Sequence, residues 1–319
     1  MIDFKTYDEQ IRILEDRGMI FNNYAIAKDL LQRNNYYNLI NGYKDIFVKK
    51  GITPEQYIDG VSFLEVYALH QFDKELRAEL ARFLIVIERT FASVLSYDFS
   101  KSYQNHDEDY LNINNYNTKT IFDKQTQNFI LLSSKFVSEL EKELIKALQK
   151  NDPMICHYKN KYNRVPLWVF VNKLTFGTLS KMYRLLKPKE RDTIAKNIEG
   201  ISGIKLYADN IQNALDVLVL LRNKCAHDQR IYDFNPVPTT IKPNEFLKKF
   251  FTSSNNIQSL FGAISCMSFF LKEQHFNEAI EKIKYLIKNL FANIHSIPTQ
   301  AILTKMGIPQ SFLSTLSED

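Results

Sequence analysis

A chain of 319 residues, 45% hydrophobic and 24% charged, is long enough to bury one large core or two small ones. Its formal charge of +5 permits a polyanionic partner without demanding one, so the placement of charge matters more than its total. Three scattered cysteines with no C-x-x-C exclude a disulfide framework, no apolar run approaches the roughly 18 residues that span a bilayer, and the mixed opening MIDFKTYDEQIRIL is no signal peptide. The expectation is a cytoplasmic protein with reduced thiols and no membrane contact.

Residues 1–55 read as an N-terminal segment of short helices, with turns at Arg17-Gly18-Met19 and Asn41-Gly42 and a loop at Thr53-Pro54. Residues 56–235 read as a helical core, entered through a loop at Asp59-Gly60. No Gly or Pro lies between Gly60 and Pro153, which favours long helices. From Val61, the residues Phe63, Tyr67, Phe72, Leu76, Leu80, Phe83, Ile87, Phe91 and Val94 recur at three- and four-residue steps and predict an amphipathic helix to about Tyr97, the spine of a bundle. Residues 101–128 lose the period and fill with Asn, Asp and Thr, as an irregular insertion does. Helical spacing returns over 129–150, stopped by Pro153, then over about 166–186, 189–198 and from Ala208 to near Asp228. Pro236 and Pro238 mark a boundary, and 236–319 reads as a helical extension with two helices between 244 and 295. Strand-type alternation is nowhere sustained. The fold class is all-α, a helical bundle with additional N- and C-terminal helices.

The sharpest local signal is LLRNKCAHDQR, residues 220–230. Asn223 and His227 are four apart on one helical face, below Asp216, and Arg222 sits about 100° around from Asn223, over the row Ile211, Leu215, Leu218. An arginine held at the edge of an apolar row is ready to fork onto a phosphate. His227 falls near the helix C-terminus, where the macrodipole favours a cationic group. Imidazole, guanidinium and amide together suit RNA cleavage without a metal. His227 would move a proton at the ribose 2′-hydroxyl or the leaving oxygen, and Arg222 would stabilise the charge that builds on phosphorus. This is the only Arg–x4–His spacing in the chain. The structural alternative is an ion-paired Arg222 and a helix-capping His227, and by itself the spacing does not displace it.

A second signal lies in charge. From Pro153 to Lys189 there is no acidic residue but there are eight basic ones, Lys159, Lys161, Arg164, Lys173, Lys181, Arg184, Lys187 and Lys189, and Arg230 adds another cation beside the histidine motif. Tyr158, Tyr162, Trp168, Phe170, Phe176 and Tyr183 are interleaved with them. Cations that track phosphates and aromatic faces that stack on bases describe an RNA surface. Trp168, Phe170 and Phe176 read instead as core. Glu88 and Arg89 read as an ion pair or as site-orienting residues, and Asp73 with Arg77 as an i,i+4 helix support. His70, His106, His157, His275 and His295 show no metal-ligand spacing, and no phosphate-loop or dinucleotide motif is present, so no metal and no cofactor is expected.

Several segments in a fixed order carry a resemblance: RGM at Arg17–Met19, NYYNLINGY at Asn35–Tyr43, FDKELR at Phe72–Arg77, VIERTF at Val86–Phe91, PLWVF at Pro166–Phe170, FGTLSKMY at Phe176–Tyr183 and LRNKCAHDQRIY at Leu221–Tyr232. In these, spread over residues 5–235, the chain resembles the Abi family of abortive-infection proteins, the AbiD and AbiF type of the HEPN superfamily. The resemblance implies a HEPN-type bundle whose R-N-x-x-x-H motif falls on Arg222, Asn223 and His227. It also implies metal-independent RNA cleavage, a homodimer that brings two copies of the motif together, and binding of a structured noncoding RNA. Where the family often has a second histidine, this chain has Asp228. The alternatives are a non-catalytic RNA-binding component of a ribonucleoprotein and, less favoured by the basic stretch, a protein–protein adaptor.

Overall fold

The computed structural model describes residues 3–103, 108–123, 127–249 and 257–309. His106 and parts of the 101–128 insertion and of the 236–319 extension lie outside the described residues.

Helices dominate, as the breaker-poor sequence predicts. Two short helices, α1 (Tyr7–Asp16) and α2 (Tyr24–Arg33), pair through Ile11, Leu14, Ala27 and Leu31. Gly18 makes the first turn at φ +89, where a Cβ would be strained. Asn41-Gly42, expected as a turn, is instead helical: Tyr37–Asn41 is a π-helical turn and Gly42 continues it at φ −68. The spine, α3 (Phe63–Ser102), has 40 residues and five more than the periodicity marked. Ser62 and Glu65 form a capping box at its start.

The insertion holds two 3-10 turns and a structure the sequence did not announce. Strands β1 (Thr120–Asp123) and β2 (Asn128–Leu131) pair antiparallel, Thr120 opposite Leu131. Each has four residues, too few to display sustained alternation. After it, α4 (Leu132–Gln149) ends before Asn151 at φ +53. Pro153, expected to stop that helix, starts another: Asp152 caps and Pro153 occupies the first turn of α5 (Pro153–Tyr162). The single helix expected over 166–186 is two, α6 (Leu167–Phe170) and α7 (Phe176–Leu185), because Leu174 is extended and Thr175 caps anew. Then come α8 (Pro188–Ser202) and α9 (Ala208–Ala226). The extension contributes α10 (Leu260–Met267), α11 (Glu273–Phe291) and an unforeseen α12 (Thr299–Met306).

α3 lies at the centre, packed by α6, α8, α9 and α11, while α9 also packs on α7 and α10. The buried residues form one cluster that includes Leu76, Leu80, Ile87 and Phe91 of α3, Ile211, Leu215 and Leu218 of α9, and Phe261, Ile264, Ile283 and Ile287 of the extension. The described residues of the extension therefore complete the core of the bundle rather than hang from it. No described helix is long and apolar enough to cross a membrane.

Candidate functional site

The motif occupies the last turn of α9. Leu218 and Leu221 are fully buried and fix the rotation of the helix, which leaves Arg222 half-buried and Asn223 and His227 exposed. His227 is the C-cap and donates its backbone N–H to the Asn223 carbonyl at 3.0 Å. Its side chain lines a shallow groove of about 170 Å³ with Leu220, Asn223, Lys224, Gln229, Phe234, Asn235 and Val237. Arg222 does not line that groove. Five residues from His227, and so about 140° around the axis, it turns to α3, where its Nε lies 3.4 Å from Glu88 Oε2. Glu88 thus pairs with Arg222 and not with its neighbour Arg89, which stays exposed on α3. Within one chain, the histidine and the arginine face different sides of the helix end. Asp216, aligned above His227 in the sequence, serves another interface: it accepts from Ser180 Oγ at 3.1 Å and pairs with Arg184.

The turn after His227 is held by residues that sequence reasoning assigned to helix support or passed over. Asp228 is left-handed, at φ +52, and Gln229 N–H donates to the Lys224 carbonyl at 3.0 Å, closing the helix end. Asp228 Oδ1 accepts from Arg77 Nη2 at 2.6 Å. Arg77 also pairs with Asp73, which is wholly buried. Asp73 in turn accepts from Tyr43 Oη at 2.8 Å and from the backbone N–H groups of Ile231 at 3.0 Å and Tyr232 at 2.6 Å. Burial pushes the Asp73 carboxyl up, opposed by Arg77, Tyr43 and the two amides. His70 packs edge-on against Tyr43, its Nδ1 buried without a hydrogen-bond partner, and burial and the Arg77 charge lower its pKa. Burial pushes the thiol of Cys225, one turn inside, up to about 12, which disfavours its thiolate. The only sequence signal for this cluster was the set of segments NGY, FDKELR and HDQRIY, which fold to one place.

The basic stretch looks different in space. Lys159 pairs with Glu108 at 3.4 Å, Lys173 with Asp152, Lys181 with Glu139 and Arg184 with Asp216. The run lacks acids in sequence, but neighbouring elements supply them. Lys161 lies over the Tyr162 ring at 5.2 Å and Lys187 over Tyr103 at 5.9 Å, while Arg164 and Lys189 are exposed. Arg230 directs its guanidinium to the Gly42 carbonyl, Asp45 and Asp233, tying the motif to the N-terminal segment. Phe170 and Phe176 are core residues as read, but Trp168 is not, since half of its surface faces solvent. Among the described residues, no group of three His, Cys, Asp or Glu is placed to hold a metal ion.

The family model of Abi-like proteins matches residues 29–233, from α2 through the turn that follows His227. The chain belongs to the Abi-like family. Membership points to abortive infection, a form of phage defence. No curated protein and no solved structure matches the chain. The matched span of this Abi-like chain contains Arg222, Asn223 and His227 and every partner of Asp73 named above. It excludes α1 and the extension that covers α3 and α9.

Proposed function

We propose that this protein is a HEPN-type endoribonuclease of phage defence, which binds RNA, a structured noncoding RNA among its ligands, and cleaves RNA without a metal by attack of the ribose 2′-hydroxyl. His227 moves the proton and Arg222 holds the phosphoryl oxygens, with Asn223 positioning the linkage. The observation that carries this reading is the placement of the motif. A histidine, an amide and Lys224 share an accessible groove at the end of α9, and Arg222 lies on another side of the same helix end, paired with Glu88 and still reachable by solvent. Because the Arg222 and His227 side chains diverge on one helix, two chains bring them together: the site is composite, in a homodimer. The α3 face next to Arg222 exposes Ile85, Val86 and Arg89, which supports such an apposition.

RNA reaches the site along the side formed by α5 to α8. The Lys181–Glu139 pair is solvent-exposed, and the Lys173 and Arg184 side chains are 34% and 52% exposed beside partly buried Asp152 and Asp216, so phosphates compete with these carboxylates for the cations. Exposed Tyr162 and Trp168 offer faces for unpaired bases. The test is incubation of labelled RNA with the purified protein in EDTA, in parallel with His227→Ala. Cleavage by the wild type that survives chelation and disappears in the variant is expected. Binding by both proteins with cleavage by neither would replace the nuclease with a non-catalytic RNA-binding component.

A further inference from the structure

Asp73 and Arg77 sit on α3 and are buried to 0% and 6% exposure, yet the carboxylate that Arg77 reaches on its far side, Asp228, is 82% exposed. A buried ion pair is costly to desolvate and contributes little net stability, and its best-attested use is to fix one conformation. Here the conformation is identifiable. Asp73 takes the N–H groups of Ile231 and Tyr232, and Arg77 takes the Asp228 carboxylate at 2.6 Å and the Gln229 carbonyl at 3.4 Å. Every described hydrogen bond and ion pair of the two residues outside α3, apart from those with Tyr43, thus falls within the five residues directly after His227. Asp228 is also the residue whose left-handed backbone ends α9. An unanchored residue there would leave the histidine at a frayed helix end.

We propose that Arg77, braced by Asp73, is a positioning residue that fixes His227 by clamping Asp228, so that the imidazole is aimed before RNA arrives. The proposal rests on the ribonuclease reading for its catalytic consequence only. Substituting Arg77 or Asp73 would strand a buried charge and unfold the region, so the test is made at exposed Asp228. Asp228→Gly keeps the left-handed backbone and removes the anchor, whereas Asp228→Asn keeps both backbone and acceptor. The first readout is the side-chain ¹H–¹⁵N signals of the His227 imidazole, assigned with His227→Ala. They shift or broaden in Asp228→Gly and return towards the wild type in Asp228→Asn. The second is RNA cleavage, where Asp228→Gly lowers kcat by about ten- to hundredfold, with KM nearly unchanged, as misaimed catalytic groups do, and Asp228→Asn recovers most of it. His227 signals that are identical in wild type and Asp228→Gly overturn the clamp, whatever the cleavage assay shows. Signals that respond while no protein cuts RNA would uphold the clamp and remove the nuclease reading instead.

Discussion

Arg222 and Trp168 show how far single residues were legible. The sequence placed Arg222 over an apolar row and left its partner open between ion pair and reactive group; in the structure it pairs with Glu88 while its side chain stays 37% exposed, so the ion pair leaves the guanidinium accessible. Trp168 reads as core in the sequence, together with Phe170 and Phe176, but α6 is a single turn in which Leu167, Val169 and Phe170 are buried and Trp168 is half exposed. Four residues are too few for a period to say which side faces in. As the chain's one tryptophan, it reports on its own surroundings. Titration with single-stranded RNA is expected to quench its fluorescence, and Trp168→Ala to weaken binding by the 1–3 kcal/mol that one stacked base contributes, about five- to 150-fold in Kd. Unchanged emission together with an unchanged Kd would take the RNA path away from α6.

At the scale of elements, what was legible followed from length. α3 announced itself because an amphipathic period sustained from Phe63 to Val94 without Gly or Pro has no rival reading. The β1–β2 hairpin and α5 did not, the first being too short and the second starting at the proline taken for a stop. The Asp73–Arg77 pair was visible as an i,i+4 spacing, but its partner Asp228 is 151 residues away, and periodicity carries no information across that distance. A similar long-range tie joins the start of α3 to the extension. Glu65, besides its capping box, accepts from the N–H groups of His295 at 2.6 Å and Ser296 at 2.7 Å. Burial opposes its ionisation, and the Ser62, His295 and Ser296 donors outweigh it, holding the carboxyl below its ordinary value. A depressed carboxylate pKa contributes stability above the unfolded value near 4.3, lost as pH falls through the folded value. Glu65→Ala is therefore expected to lose about 1–2 kcal/mol at pH 7, where the capping box and the His295 and Ser296 amides lose their acceptor, and to lose progressively less than this, relative to wild type, below about pH 4. Thermal melts of both proteins from pH 3 to 7 measure this, and a gap independent of pH would contradict it.

For the whole molecule, the all-α bundle and the family followed from sequence, because helical periodicity and the ordered segments are properties of the chain itself. The distribution of charge did not follow. Glu108, Glu139, Asp152 and Asp216 come from outside the basic run and neutralise part of it, which only the folded arrangement discloses. Nor did the role of the extension, whose helices α10 and α11 cover α9 and α3 and close the core beneath the motif. The molecule thus presents a helix end braced from α3, with its histidine and arginine accessible and directed apart. The RNA cleavage proposed for that end would leave a signature. Attack by the 2′-hydroxyl retains the phosphate on the upstream fragment as a 2′,3′-cyclic ester and frees a 5′-hydroxyl downstream. Mass spectrometry of the fragments made in EDTA is therefore the most direct measurement. Cyclic phosphate and 5′-hydroxyl ends, absent with His227→Ala, are the expected result. Ends bearing 5′-phosphate, or cleavage that the variant retains, would contradict the assignment of Arg222 and His227.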